Sequence, residues 1–168
     1  VPARHAFYYC KIGLLRQFDA EKFCNLFGQM VEDGEYVLVQ DRKKKDWPGI
    51  NFPGGHVEKG EFITPSVIRE MKEETGLTIE NPKLCGIKEF LRAKDGVRYI
   101  VFLYRADKFS GELHSSAEGE VFWYPLAELE KSSELISGFR EMLSVFTGDA
   151  LSEIYYERSG DELKTVYC

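Results

Sequence analysis

Between residues 55 and 77 the chain reads GHVEKGEFITPSVIREMKEETGL, and this stretch restricts the possible folds more than any other part of it. Thr64-Pro65 predicts a helix entry, because Thr can cap free N–H groups and Pro at the first helical position gives up no hydrogen bond. The helix is expected over residues 65–75. Gly76 is its expected stop, since the residue just past a helix often needs a positive φ that glycine adopts cheaply. At about 3.6 residues per turn, Glu70, Glu73 and Glu74 fall within a wedge of about 100°. Val67, Ile68 and Met71 lie on the adjoining face, so one helix can anchor in a core and present acids to a cleft.

Carboxylates at this spacing repel one another and raise one another's pKa, so a cation is expected among them. Oxygen donors suit hard divalent ions, and Mg²⁺ characteristically takes one or two carboxylates together with substrate phosphates. A glycine loop feeding such a helix is therefore a phosphate and metal site in the making. Arg69 can pair with an acid of the loop or helix and hold it in place. A lone Glu73-Glu74 pair would read as solvated surface, and only the full set of positions argues otherwise.

Upstream, an apolar stretch from Phe23 to Val31, the turn signal Glu32-Asp33-Gly34-Glu35 and the run Tyr36–Val39 predict a β-hairpin. A basic loop rich in Gly and Pro follows from Asp41 to Gly55. Its Lys43-Lys44-Lys45 run reads as a solvated tip that could also steer polyphosphate. Trp47 is open to packing or base stacking, and Phe52 is the better candidate to stack on a base. Downstream, residues 84–91 and 97–106 predict a hairpin through Lys94-Asp95-Gly96, with Arg92, Arg98 and Tyr104 near the strands as possible substrate contacts. Val121–Tyr124 predicts a short strand and Pro125–Leu129 a helical turn. Ile136, Phe139, Arg140, Leu143 and Phe146 space themselves like one helix face, and the tail from Asp149 carries only weak signals. His56 and His114 lack ligand partners at useful spacing, which favours loop or surface roles.

At 168 residues, with 43% apolar and 30% charged side chains, one globular domain is expected, residues 23–168, preceded by an extension over residues 1–22. A net charge of −6 disfavours a partner made of nucleic acid polymer. Cys10, Cys24, Cys85 and Cys168 form no metal spacing and fit reduced thiols in the cytoplasm. No apolar run approaches the roughly 20 residues of a membrane span, so neither membrane insertion nor secretion is expected.

Gly55, Glu61, Arg69, Glu70, Met71, Glu73, Glu74, Gly76 and Leu77 fill every defined position of a pattern that resembles the signature of the Nudix hydrolase family. The order of elements from about Phe23 to Phe146 is similar as well, most of all to the MutT-type nucleotide pyrophosphohydrolases, a group that includes 8-oxo-dGTP diphosphatases. The resemblance implies an α/β class, the Nudix fold: an α/β/α sandwich around a mixed β-sheet, with the motif as loop, helix and loop. It implies Mg²⁺ or Mn²⁺ held by Glu70, Glu73 and Glu74, the Gly54 carbonyl and a further acid, Glu118 or Glu120, of which Glu118 is favoured. Arg69 would orient the glutamates and Glu61 would sit near them. Glu70, Glu73 and Glu118 remain candidates for the general base. The implied reaction is hydrolysis of a diphosphate bond, giving a nucleoside monophosphate and pyrophosphate from a nucleoside triphosphate or a related nucleoside diphosphate derivative. Traces expected of the NADH, ADP-ribose, dinucleoside polyphosphate and coenzyme A subfamilies are missing, Ala93 standing in the region where ADP-ribose enzymes carry a Pro. That leaves a triphosphate reader, with oxidised purines such as 8-oxo-dGTP as candidates. A homodimer is expected from the family. The alternative is a nucleotide-sensing domain of the same fold without catalysis.

Overall fold

A computed structural model describes residues 23–43, 48–148, 150–160 and 162–168. The extension expected over residues 1–22 lies outside the described residues, as do Lys44, Lys45 and Trp47. The chain runs β1 (Phe23–Asp33), β2 (Tyr36–Arg42), β3 (Gly49–Asn51), α1 (Ile63–Thr75), β4 (Thr78–Ile79), β5 (Lys83–Leu91), β6 (Arg98–Ala106) and β7 (Phe109–Ser110). It continues through β8 (Gly119–Pro125), α2 (Leu126–Leu129), α3 (Phe139–Thr147), β9 (Glu153–Ser159) and β10 (Glu162–Tyr167).

The main sheet has the order β10-β9-β5-β6-β1-β2-β3, with β8 also paired to β2, and a small β4–β7 ladder stands apart. It is mixed: β1 runs parallel to β6 and β9 parallel to β5, while the other main-sheet pairs are antiparallel. Period-two alternation divides the apolar side chains between two cores. Met30, Val37, Val39, Val101 and Leu103 pack with α3 on one face, while Val31, Leu38, Val67, Met71 and Tyr104 join α1 on the other. Two helical layers thus flank the sheet, the sandwich that the resemblance implied.

The expected hairpin between residues 23 and 39 forms only at its tip, where Glu32 faces Val37 and Asp33 faces Tyr36. Farther back, β1 pairs with β6 from Phe23 to Val31, and β2 pairs with β8 along its whole length. Each strand makes its longer pairing elsewhere, so the sheet opens between its two halves. The tail, which carried weak signals, forms an antiparallel hairpin that extends the sheet through β9. Ile154 is fully buried there, and long-range pairing supplies what local pattern did not. In α3 the buried positions are Phe139, Met142, Leu143, Val145 and Phe146. Arg140 is exposed rather than on that face and donates to the Glu130 and Ser132 carbonyls, and Ile136 precedes the helix. Among the described residues no helix is long and apolar enough to cross a membrane.

Candidate active site

Helix α1 begins two residues earlier than the Thr64-Pro65 signal suggested. Phe62 is the N-cap, without a side-chain cap, and its carbonyl accepts the first helical hydrogen bond from Ser66 at 3.1 Å. Pro65 therefore sits in the first turn, where its missing N–H still costs nothing. Thr64 is not a cap: its hydroxyl pairs with that of Tyr104 at 3.1 Å. At the other end Gly76 ends the helix as expected, with φ 79°, donating to the Lys72 carbonyl at 3.0 Å. Lys72 Nζ donates to the Gly76 carbonyl at 2.7 Å, which secures the turn.

Arg69 organises the acids. Its Nε and Nη2 grip the two Glu61 oxygens at 3.0 and 2.8 Å, and Nη1 reaches Glu70 and Glu73, each at 3.0 Å. This forked geometry holds a loop acid and two helix acids with one cation. Hydrogen bonding to Arg69 keeps Glu61 below the usual carboxylate range, while Glu61 first and then Glu70 hold Arg69 protonated. Glu70 lies against the glycine loop: a Cβ on Gly55 would stand 2.5 Å from its carboxyl carbon, so a side chain there would push the Glu70 carboxylate aside.

Glu74 is 7% exposed and accepts from the Gly54 N–H at 3.3 Å and Gln40 Nε2 at 3.4 Å. Burial pushes its carboxyl up to about 7, and the charges of Glu70 and Glu118 push the same way against Gly54 and Arg42. The charges of Glu70 and Glu118 thus both reach Glu74. Glu120 is exposed on β8, one residue out of phase with buried Gly119 and Val121. Glu118 has the same phase, so alternation does not separate the two; it is the Glu118 charge that reaches Glu74. Glu73 is the outlying acid, with its side chain 58% exposed and its carboxylate on Arg69.

Among the described residues, acidic, histidine and cysteine side chains do not gather into a preformed group of three around a cation. The chemistry of the donor set nonetheless fits a hard divalent ion. Glu70 is only partly neutralised, Glu74 and Glu118 raise the local negative charge, and every donor is oxygen.

A cavity of about 240 Å³ adjoins this cluster, reaching from Gly54 and Gly55 to Lys88 and Ser137. It draws on both halves of the opened sheet, with Arg42 and Asn51 from one and Phe90, Tyr99 and Val101 from the other. Buried Arg42 Nε and Asn51 Oδ1 have no hydrogen-bond partner. Phe52 lines the cavity but is no open platform for stacking. It is 2% exposed, with Phe139 at 4.7 Å and Phe146 at 5.1 Å between ring centroids, so it forms part of the core wall. Arg92 is committed to Asp95, Arg98 to Glu89 at 2.6 Å, and Tyr104 to the opposite face with Thr64. Sequence reasoning missed Gln40, Asn51 and Lys88. The available signals were a glutamine closing the buried run Val37–Val39 and a lysine in step with Gly86 and Phe90 on β5.

The NUDIX domain family model matches residues 26–146. The chain belongs to the Nudix family. It is 35% identical over 103 residues to the uncharacterized Nudix hydrolase YvcI of Bacillus subtilis, an alignment covering 58% of this chain and 63% of that one. It is 31% identical over 103 residues to the human 8-oxo-dGDP phosphatase NUDT18, covering 58% of this chain and 30% of the relative. Both alignments take in less than two thirds of the relative. Among solved structures, a mutator MutT protein from Bacillus halodurans superposes with a TM-score of 0.73 at 28% identity, covering 86% of this chain and 97% of that one. The superposed MutT structure shares the fold of this chain.

Proposed function

We propose that this Nudix protein hydrolyses a diphosphate bond in a nucleoside triphosphate or a related nucleoside diphosphate derivative, releasing a nucleoside monophosphate and, from a triphosphate, pyrophosphate. The observation that carries this reading is that Glu74 and Glu70 lie against the Gly54-Gly55 loop, and that this loop lines a cavity with aromatic walls. Acids at one end suit the diphosphate and an apolar slot at the other suits a base. Likeness to NUDT18, named for 8-oxo-dGDP, supports oxidised purine nucleotides as candidate substrates.

Glu70, Glu74 and Glu118, with the Gly54 carbonyl, would hold Mg²⁺ or Mn²⁺. When bound, that ion supplies neutralisation of the charge on the phosphate oxygens and a lower barrier to deprotonating water. The protein's own part is positional. Arg69 fixes Glu61, Glu70 and Glu73, and Gln40 with the Gly54 N–H fixes Glu74. One of Glu70, Glu73 and Glu118 takes the proton of the attacking water.

The test is hydrolysis of a panel of normal and oxidised dNTPs and dNDPs, ADP-ribose and dinucleoside polyphosphates, with and without Mg²⁺, identifying each phosphate product. Mg²⁺-dependent release of nucleoside monophosphate supports the reading. Tight nucleotide binding without turnover would instead make the domain a sensor.

A further inference from the structure

We propose that Lys88 and Tyr156 form a specificity subsite where the cavity meets a second one, selecting a base whose edge carries a carbonyl oxygen, a 6-oxopurine, over adenine. The proposal rests on the nucleotide reading above and extends it to the base. Lys88, on β5, is 8% exposed. Its Nζ donates to the Gly138 carbonyl at 3.1 Å and lies 5.4 Å from the centroid of the Tyr156 ring. Glu141 attracts it only at longer range, and among the described residues no carboxylate is in ion-pair contact with it. An ammonium has three N–H donors. One is spent on Gly138 and the ring face takes another, which leaves a buried donor unsatisfied.

The Tyr156 hydroxyl is also buried without a partner. Both polar atoms stand 2.8 Å from the point where a Cβ on Gly138 would be, so glycine at that position keeps them together. They meet where the 240 Å³ cavity joins a second of about 530 Å³, since Lys88, Phe90 and Ser137 line both. Tyr156 comes from β9, in the C-terminal hairpin, beyond residue 146 where the family match ends.

A buried ammonium without a counter-charge is costly, and an apolar residue would fill the place more cheaply. Burial pushes its pKa down to about 8. An ammonium offers donors only, so the complementary group must accept. Phe90, Tyr99, Val101 and Met142 make an apolar slot for a flat ring. A 6-oxopurine brings a carbonyl oxygen to its inner edge, whereas adenine brings an amino group that would meet the ammonium donor to donor.

The experiment is calorimetric binding of IMP and AMP, which differ at this edge, to the full chain and to Lys88→Met and Tyr156→Phe. The wild type is expected to bind IMP about tenfold more tightly than AMP or better. Lys88→Met should bring the two within about threefold while keeping or raising thermal stability, a combination that a structural role would not produce. Tyr156→Phe, which removes one oxygen and keeps the ring, should weaken IMP more than AMP. Equal binding of IMP and AMP by the wild type, equal weakening of both by Lys88→Met, or no binding of either overturns the subsite. Turnover of ITP is followed in parallel. Hydrolysis without base discrimination sinks the subsite alone, and discrimination without hydrolysis sinks the catalytic reading alone.

Discussion

Replacing Lys88 by Met should make the protein more stable near neutral pH, with a gap that closes in alkali. Burial lowers the Lys88 ammonium from 10.5 to about 8, with Glu141 opposing the shift. At about 1.4 kcal/mol per pH unit, the charged side chain costs about 3 kcal/mol in the folded state wherever both forms are protonated. Because the folded pKa lies below the unfolded one, the unfolded chain holds its proton more tightly. That cost is fully present below about pH 8 and is relieved as pH rises towards 10.5. Methionine keeps the length and removes the titration. It also leaves the part-buried Gly138 carbonyl without its donor, a loss of about 1 kcal/mol. The net expectation is a gain of about 2 kcal/mol at pH 7. Tyr156, whose hydroxyl burial pushes up to about 12, is present in both proteins and so drops out of the difference. Urea unfolding of both proteins, followed by circular dichroism at steps from about pH 6.5 to about pH 10.5, gives the difference directly. A variant less stable at pH 7, or a gap independent of pH, would refute the reasoning.

Glu70→Gln and Glu74→Gln should each lower kcat for nucleotide hydrolysis by about 100-fold or more with little change in Tm, read by pyrophosphate release beside a thermal melt. Arg69→Lys keeps the charge but loses the fork that spans Glu61, Glu70 and Glu73, so kcat should fall about tenfold or more, and ITP hydrolysis rates measure it. Gly76→Ala forces a Cβ into the Glu112 carbonyl and the His114 ring at φ 79°, and chemical denaturation should show a loss of about 2–4 kcal/mol. Phe52→Ala empties the wall shared with Phe139 and Phe146, and the same assay should show about 3–5 kcal/mol lost.

The motif from Gly55 to Leu77 was legible because its information is local. Helical period alone gathers Glu70, Glu73 and Glu74 into one wedge with Val67 and Met71 on the adjoining face, whatever the rest of the chain does. Gly76 is readable for the same reason, since its positive φ is set by the helix it ends. Even the cap position slipped, however, because Thr64 found a partner in Tyr104, forty residues away.

Contacts between distant segments were beyond the reach of pattern. The hairpin signal at Glu32–Glu35 was real, but strength of pairing elsewhere decided that β1 would lie along β6 and β2 along β8. That choice opens the sheet, and the opening is the cavity. Phe52 looked like a stacking platform beside the glycine loop until α3 packed Phe139 and Phe146 against it. Lys88 carried no motif, and its character comes from a carbonyl 50 residues along the chain and a ring on the C-terminal hairpin. Local sequence determined the acids and the helix that presents them, because backbone period and turn geometry act within a few residues. Only the tertiary structure decided what faces the acids and what closes the cavity, because desolvation and long-range strand pairing depend on segments that meet only when the chain has folded.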